Sequence, residues 1–433
     1  MLKLFMIADD LTGALDSGIK FSEKGLRTLV IPDARDLPPA AEPDIDVLVV
    51  NANSRGMSPP DAYTAVYRIG QAALEMNAEI LYKKVDSALR GNIGSELNAL
   101  VDLTKGKSVF FAPAYPAMKR VTVGGVHYID GVPLDKSVFA DDPFNPTTLS
   151  YIPDILARET AIDTKVIEAN TPMDDRVLQE DGCIHTFDAE SQARLYEIAS
   201  YLKAQNRLHL VAGCAGFAGE IARLIGPRDA GRPELPVLDQ AIVICGSLNP
   251  ITTAQITCAI SHGAAGFHLS QTEKTDPDFW LTEGGKTYIS RILSAARAGP
   301  VIVDTSGKSE PEQSGGADEK VTSCHKRIAA SLGMLAKQLA RENSGCLFVV
   351  TGGDTLMGFI RQMDHVLLKP VCEIVKGAVL FEMTDADGCH YVISKSGGFC
   401  EEDVFVKIFH RFLGSAKKRR PEPFVYAKDA VSV

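Results

Sequence analysis

Short runs of apolar, often β-branched residues alternate along this chain with stretches whose apolar positions recur at helical spacing. LKLFMIA at 2–8 predicts a strand, and the following periodicity predicts a helix over 14–24. Further strands are expected at 28–32, 46–52, 79–85 and 108–113, with helices over 59–76 and 93–103. Strand and helix in strict alternation imply a mostly parallel sheet with helices on both faces. One segment breaks the rhythm: VHYIDGVPL at 126–134 reads as an antiparallel excursion turned by Asp130-Gly131. The stretch 226–236, GPRDAGRPELP, concentrates Gly, Pro and charge and is the expected linker. The alternation then restarts, with strand-and-loop units at 240–247, 300–307 and 346–353, a long helix over 320–341 and a last helix after GGFC. The expected fold class is therefore α/β, in two domains, 1–230 and 237–433. Each would be a mostly parallel sheet flanked by helices, with the active site in the interdomain cleft.

A chain of 433 residues is too long for one ordinary core, which agrees with two domains. The formal net charge of -10 removes long-range attraction to a phosphate backbone, so nucleic acid is not an expected partner. Nine cysteines, an odd number with no CxxC pair, read as reduced thiols of a reducing compartment. The apolar run in MLKLFMIADD is too short for a signal sequence, and no stretch approaches the ~20 apolar residues of a membrane span. A cytoplasmic protein with no membrane partner is expected. The histidines form no HxH or HxxxH pair, and the basic run Lys417-Lys418-Arg419-Arg420 reads as a solvated tail.

In open α/β sheets ligands bind beyond the carboxyl ends of the strands, so the residues just after each strand matter most. In the second half, three glycine-bearing loops occupy that place: Cys245-Gly246-Ser247, Thr351-Gly352-Gly353-Asp354-Thr355 and Lys395-Ser396-Gly397-Gly398-Phe399. Glycine lets backbone N–H groups approach a phosphate, and the following helix N-terminus favours negative charge. Asp354 could hold magnesium, directly or through water. One such loop alone is equally served by closing a turn or capping a helix; three in one domain point to a nucleotide. A Walker A loop is missing, because Val101 and Ile302 stand where its first glycine belongs ahead of Gly106-Lys107-Ser108 and Gly307-Lys308-Ser309. GxGxxG after a strand, HRD and DFG are also absent.

In the first half, Asp9-Asp10 follow the first strand, Asn51 to Arg55 follow the third, and Lys83 to Asn92 span a strand end and a helix start. Carboxylates, hydroxyls, an amide and cations together suit a polyhydroxy carboxylate. Arg grips the carboxylate in a fork while Asp and Ser take hydroxyls. A kinase needs an Asp to orient or deprotonate the attacking hydroxyl and cations to offset the charge of the moving phosphoryl group. Plainer roles stand beside these. Asp9 or Asp10 would cap a helix before Thr12, Asp86 would cap one at Ala88, and Lys83 or Lys84 would be solvated. Asp10, Arg55 and Asp86 converge on one expected face, whereas Asp9, Lys83 and Asn92 fit either account. The loop Ala112 to Pro116 and the pair Lys119-Arg120 would line the same cleft or form a proline-stiffened loop.

IADDLTGALDSG, NANSR, KKVDSALRGNIGSEL, CGSLNPITTAQI, TGGDT and KSGGF occur in that order along nearly the whole chain. These blocks resemble the four-carbon acid sugar kinase family, long catalogued as a domain of unknown function. The resemblance implies an N-terminal sugar-acid domain, a C-terminal nucleotide domain, and ATP-dependent phosphorylation of D-threonate, D-erythronate or 3-oxo-tetronate at the 4-hydroxyl. It implies substrate contacts at Asp10, Arg55 and Lys84, Val85, Asp86 and Ser87, and ATP contacts at Ser247, Gly352, Gly353, Asp354, Thr355 and Gly397 or Gly398. Arg55 and Lys84 would hold the carboxylate or offset charge, Asp86 or Asp10 would take the hydroxyl proton, and Mg²⁺ would accompany the nucleotide. The KKVDS form of the third block is more similar to the D-threonate and D-erythronate branch than to the 3-oxo-tetronate branch. The sequence departs from the family pattern at Lys119, Val121, Ala88, Lys376 and Cys400. A homodimer is left open.

Two readings of other classes compete. A nicotinamide-dependent hydroxyacid dehydrogenase would need the missing GxGxxG. A non-catalytic sugar-acid sensor would bind the acid without turning over ATP.

Overall fold

The computed structural model describes residues 2–414 apart from 41–43, 141, 143–145, 175–177, 179–181, 228–234, 248, 307–316, 344, 387, 396 and 399. The chain separates into two compact units, Met1–Arg232 and Pro233–Val433. Most of the expected linker, Ser396 and Phe399 of the third loop, the Gly-Lys-Ser at 307–309, and the basic run at 417–420 lie outside the described residues.

The first unit contains β1 (Leu4–Ala8), β2 (Thr28–Ile31), β3 (Val47–Asn51), β4 (Ile80–Lys84), β5 (Val109–Ala112), β6 (Arg120–Val123), β7 (Val126–Ile129), β8 (Val132–Pro133), β9 (Thr164–Ile167), β10 (Ile184–Phe187) and β11 (Leu210–Gly213). Its helices are α1 (Leu11–Ser22), α2 (Pro59–Glu75), α3 (Ile93–Leu103), α4 (Ile152–Ala157), α5 (Gln192–Ala204) and α6 (Ala215–Ile225). Eight strands form a parallel sheet in the order β2-β3-β1-β4-β11-β5-β10-β9. Every residue of β1, β3 and β4 is buried, as unbroken apolar runs covered on both faces must be. The chain leaves β1 towards β2 on one side and leaves β4 towards β5 on the other. The carboxyl ends of β1 and β4 are thus a switch point, where the sheet opens a crevice.

The expected antiparallel excursion is present as β6-β7-β8. Its two hairpins turn on Gly124-Gly125 (φ 58° and 73°) and Asp130-Gly131 (φ 50° and 80°), the paired positive φ values of tight hairpin turns.

The second unit contains β12 (Gln240–Cys245), β13 (Ala265–His268), β14 (Val301–Asp304), β15 (Cys346–Thr351), β16 (Leu367–Val375), β17 (Ala378–Asp385) and β18 (Gly388–Lys395). Its helices are α7 (Pro250–Ser261), α8 (Gln271–Thr275), α9 (Glu283–Ala298), α10 (Ala317–Glu342), α11 (Gly353–Gln362) and α12 (Val404–Phe412). The order is β13-β14-β12-β15-β18-β17-β16, parallel as far as β18 and antiparallel from there. Of the antiparallel ribbon the sequence reading has only the strand that leads into the loop at Lys395. The two-residue turn Lys376-Gly377, with Gly377 at φ 83°, is what folds β17 back on β16. Ala241, Val243, Leu347, Val349 and Ile393 of the sheet pack on Phe405, Ile408 and Phe412 of α12. Among the described residues no helix is long and apolar enough to cross a membrane, and all nine cysteines are free thiols.

Candidate active site

On the first unit, Asp9 and Asp10 follow β1, Arg55 follows β3 and Lys84-Val85-Asp86 follow β4, so three neighbouring strands deliver them to one crevice. Asp10 caps α1, its Oδ1 accepting from Gly13 N at 2.8 Å, while its Oδ2 faces Arg55 NH1 at 2.8 Å. Asp10 therefore caps the helix and at the same time faces Arg55 in the crevice. Arg55 also places Nε and NH2 at 2.8 and 2.7 Å from Asp9 Oδ2, and NH2 at 3.6 Å from Asp86 Oδ1. Three of its nitrogens are thereby directed at carboxylates of the chain itself. Glycine is required at position 13, where a Cβ would stand 2.6 Å from Asp10 Oδ1 and 2.7 Å from Lys84 Nζ.

Asp86 differs from the expectation of a helix cap. The next helix starts only at Ile93, and Asp86 instead closes its own turn, accepting from Ala88 N at 3.2 Å and from Arg90 Nε and NH2 at 2.7 and 3.2 Å. Burial raises its pKa, but Arg55 and Arg90 outweigh that and hold it well below the ordinary carboxylate range. Asp9 behaves alike: burial works upwards, and Arg55, Lys84 and Lys83 bring it below its usual value.

Lys83 and Lys84 are not solvated. Lys83 is fully buried with Nζ 3.0 Å from Glu96 Oε2, and Ser54 Oγ donates to the other Glu96 oxygen. Lys84 Nζ donates to Val85 O at 2.6 Å and stands 3.9 Å from Asp9 Oδ1. Val85 takes part through its backbone, N–H donating to Gly213 O at 2.9 Å. Asn92 ties the loop after β3 in place, donating to Ser54 O and Met57 O at 2.9 Å each. Ser87 Oγ receives Arg120 NH1, and its carbonyl is 3.0 Å from His127 Nε2. Burial pushes the His127 imidazole down to about 4, so it is neutral at physiological pH and its Nε2–H donates to that carbonyl. Lys119 is exposed, at φ 53°, with Asp130 3.7 Å away.

Sequence reasoning missed Glu96 and His127 as members of this cluster, held Arg90 in the third block without a role, and left Arg120 between a cleft lining and a proline-stiffened loop. The signal for Arg90 was its spacing of four from Asp86. Glu96 was signalled by a carboxylate on the apolar face of α3. Nothing local signalled His127, which arrives on the hairpin.

On the second unit, β12, β15 and β18 are neighbours, and the three glycine loops meet at their ends. A Cβ on Gly246 would collide with Thr355 Oγ1, and one on Gly397 would stand 2.7 Å from Ser247 Oγ. Thr252 Oγ1 donates to Gly397 O at 2.6 Å, and Gly352 N donates to Lys395 O at 3.0 Å. Gly352 enters α11 at φ 101°, a conformation that only glycine takes without strain. Gly353 and Asp354 are exposed in the first turn of α11, Thr355 is buried behind them, and Gly398 is exposed beside Asn249. Cys400 Sγ lies 3.3 Å from Lys376 O, so two of the departures from the family pattern touch each other.

Beside Ser247 lies a cavity of about 330 Å³ lined by Thr253, Ile256 and Ile260 of α7 and by His268, Asp304 and Ser306. His268 Nδ1 is 2.8 Å from Asp304 Oδ2. This pair was not expected from the sequence.

Residues 4–221 match the family model of a sugar-binding N-terminal domain, and residues 242–405 match that of a nucleotide-binding C-terminal domain. The chain belongs to the four-carbon acid sugar kinase family. A D-threonate kinase of Salmonella typhimurium (strain LT2) is 34% identical over 273 residues. That stretch is 61% of this chain and 62% of the enzyme, so it spans less than two thirds of the relative. A D-threonate kinase of Bordetella bronchiseptica is 26% identical over 409 residues, 93% of this chain and 95% of that one. A crystal structure of a Salmonella typhimurium LT2 protein superposes with a TM-score of 0.78 at 23% identity, over 95% of this chain and 100% of that one. At that identity the likeness shows the shared α/β fold.

Proposed function

We propose that this protein uses ATP to phosphorylate the 4-hydroxyl of a four-carbon sugar acid, D-threonate or D-erythronate. Residues 1–230 take the acid and residues 237–433 take the nucleotide. The observation that carries the reading is the meeting of the Gly246, Gly352 and Gly397 loops at three adjacent strand ends, with no room for a side chain at Gly246 and Gly397 and a positive φ at Gly352, close to the start of α7 and α11. Such a surface offers backbone N–H groups and helix N-termini to phosphate oxygens, with the Ser247 and Thr355 hydroxyls beside them.

The donor set suits Mg²⁺. Among the described residues no cluster of three or more His, Cys, Asp or Glu side chains stands ready for a metal, while Asp354 is one exposed carboxylate among the loops. A cation that keeps its waters and leans on nucleotide phosphates needs no more than that. Asp354 would hold it, directly or through water, and the ion would offset charge on the phosphates.

On the acid side, Arg55 fixes Asp9 and Asp10, and Lys84 adds positive charge. Asp86 is committed to the N–H groups of Ala88 and Arg90 and anchors its turn. Asp10 has one partner on each oxygen and a side chain 27% exposed. It is the carboxylate with lone pairs left for the substrate. In the transfer, the 4-hydroxyl oxygen bonds the γ-phosphorus, the bond to the β-phosphate oxygen breaks, ADP leaves, and the hydroxyl proton passes to Asp10. Phosphorus–proton correlation NMR of the product tests the regiochemistry. A phosphate coupled to the C4 protons is expected, and coupling to C2 or C3 protons would refute it.

A further inference from the structure

Arg120, the first residue of β6, is only 8% exposed. Among the described residues its guanidinium makes one side-chain hydrogen bond and one ring contact. NH1 donates to Ser87 Oγ, and the plane lies 5.3 Å from the centroid of Phe139. No described carboxylate pairs with it, and its Nε and NH2 donors are taken up by no described side chain. The other cations of the crevice are neutralised within the chain. Lys83 has Glu96, Arg55 has Asp9 and Asp10, Arg90 has Asp86 at 2.7 Å and Asp142 at 2.9 Å, and Lys84 has Asp9 at 3.9 Å. Arg90 also lies 5.0 Å from the same Phe139 ring, so a second positive charge works against Arg120.

A buried guanidinium without a counter-ion is costly, and the cost is recovered only when an anion arrives. The mount of this one is rigid. Phe139 holds its face, Ser87 holds one nitrogen, and His127 holds the Ser87 carbonyl at 3.0 Å. Ser87 follows directly on Asp86, which places the free fork at the edge of the acid crevice.

We propose that Arg120 recognises the carboxylate of the acid substrate through its Nε and NH2 donors, and so selects a sugar acid over the uncharged tetritol of the same length. The assignment rests on the reading of this unit as the acid site, and it moves carboxylate recognition away from Arg55, whose donors are spent on aspartates. A fork of fixed geometry is what a planar carboxylate demands, so a lysine ammonium would be a poor replacement.

The test is equilibrium binding of D-threonate, D-erythronate, threitol and ATP to the whole protein, by calorimetry, for wild type, Arg120→Gln and Arg120→Lys. Folding is checked by the thermal midpoint. Arg120→Gln is expected to weaken the preferred acid by at least about 30-fold, to leave ATP within about threefold, and to erase most of the preference over the tetritol. Arg120→Lys is expected to fall between the two. It carries the test alone if the Gln variant does not fold, and acid binding equal to wild type would then overturn the proposal. Unchanged acid binding by Arg120→Gln would overturn the assignment and leave the function standing. Loss of ATP binding without loss of acid binding would also overturn it, in favour of a phosphate contact. A wild-type protein that binds none of the acids would overturn the assignment together with the function on which it rests.

Discussion

Arg55 meets Asp9 through two nitrogens on a single oxygen, Nε at 2.8 Å and NH2 at 2.7 Å from Oδ2. Asp9 is 2% exposed, and its next cation, Lys84, is 3.9 Å away. Removing the guanidinium would therefore leave a buried carboxylate almost unpaired. Arg55→Met is expected to cost about 3–5 kcal/mol of stability, read as a lower denaturant midpoint at neutral pH. Arg55→Lys should recover part of it, because an ammonium can serve one aspartate but not both. A midpoint unchanged in Arg55→Met would show that the pair contributes nothing net.

The same contact makes stability depend on pH with a definite sign. Asp9 and Asp86 have folded-state pKa values below their unfolded values, through Arg55, Lys84 and Arg90 acting against burial. Their contribution is present above the unfolded carboxylate value near pH ~4 and is lost as pH falls below it. The denaturant midpoint should fall as pH is lowered through ~4, and the fall should be smaller in Arg55→Met. Equal slopes for the two proteins would contradict this account.

Asp10 and Asp86 are given separable roles. Asp10→Asn is expected to lower kcat by about 10²–10⁴-fold with acid binding little changed, since the amide still caps α1 but takes no proton. Asp86→Asn should raise the KM for the acid as its turn loosens, with a smaller effect on kcat. Steady-state kinetics over a range of acid concentration separates the two, and full turnover by Asp10→Asn would remove it as proton acceptor.

What was legible in the sequence is what local chemistry marks. Gly246, Gly352 and Gly397 each follow an apolar run and precede a helix, so their place at strand ends could be read off. Their meeting point was implied by the parallel order. The ribbon of β16 and β17 was missed because its apolar positions alternate only loosely, with bulges between Pro370 and Cys372 and between Glu373 and Val375. The burial of Lys83 was not legible because its partner Glu96 sits 13 residues on, in a helix, and no local pattern joins them. Arg120 reached Ser87 only through a hairpin that brings together residues 33 apart.

The glycine loops make a steric prediction. Gly246→Ala and Gly397→Ala would push a methyl group onto Thr355 Oγ1 and Ser247 Oγ, whereas Gly56→Ala meets nothing within 4 Å. The first two are expected to raise the KM for ATP by roughly tenfold or more, from an overpacking cost of about 1–3 kcal/mol, and Gly56→Ala should leave it unchanged. Equal effects at all three positions would mean that the loops do not hold the nucleotide.

The most direct measurement is ADP release with Mg·ATP against D-threonate, D-erythronate, L-threonate and 3-oxo-tetronate. Turnover with D-threonate or D-erythronate, absent with L-threonate and lowered about 100-fold or more by Asp10→Asn, is the result predicted here. No ADP release above background with any of the four acids, from protein shown to be folded, would contradict it.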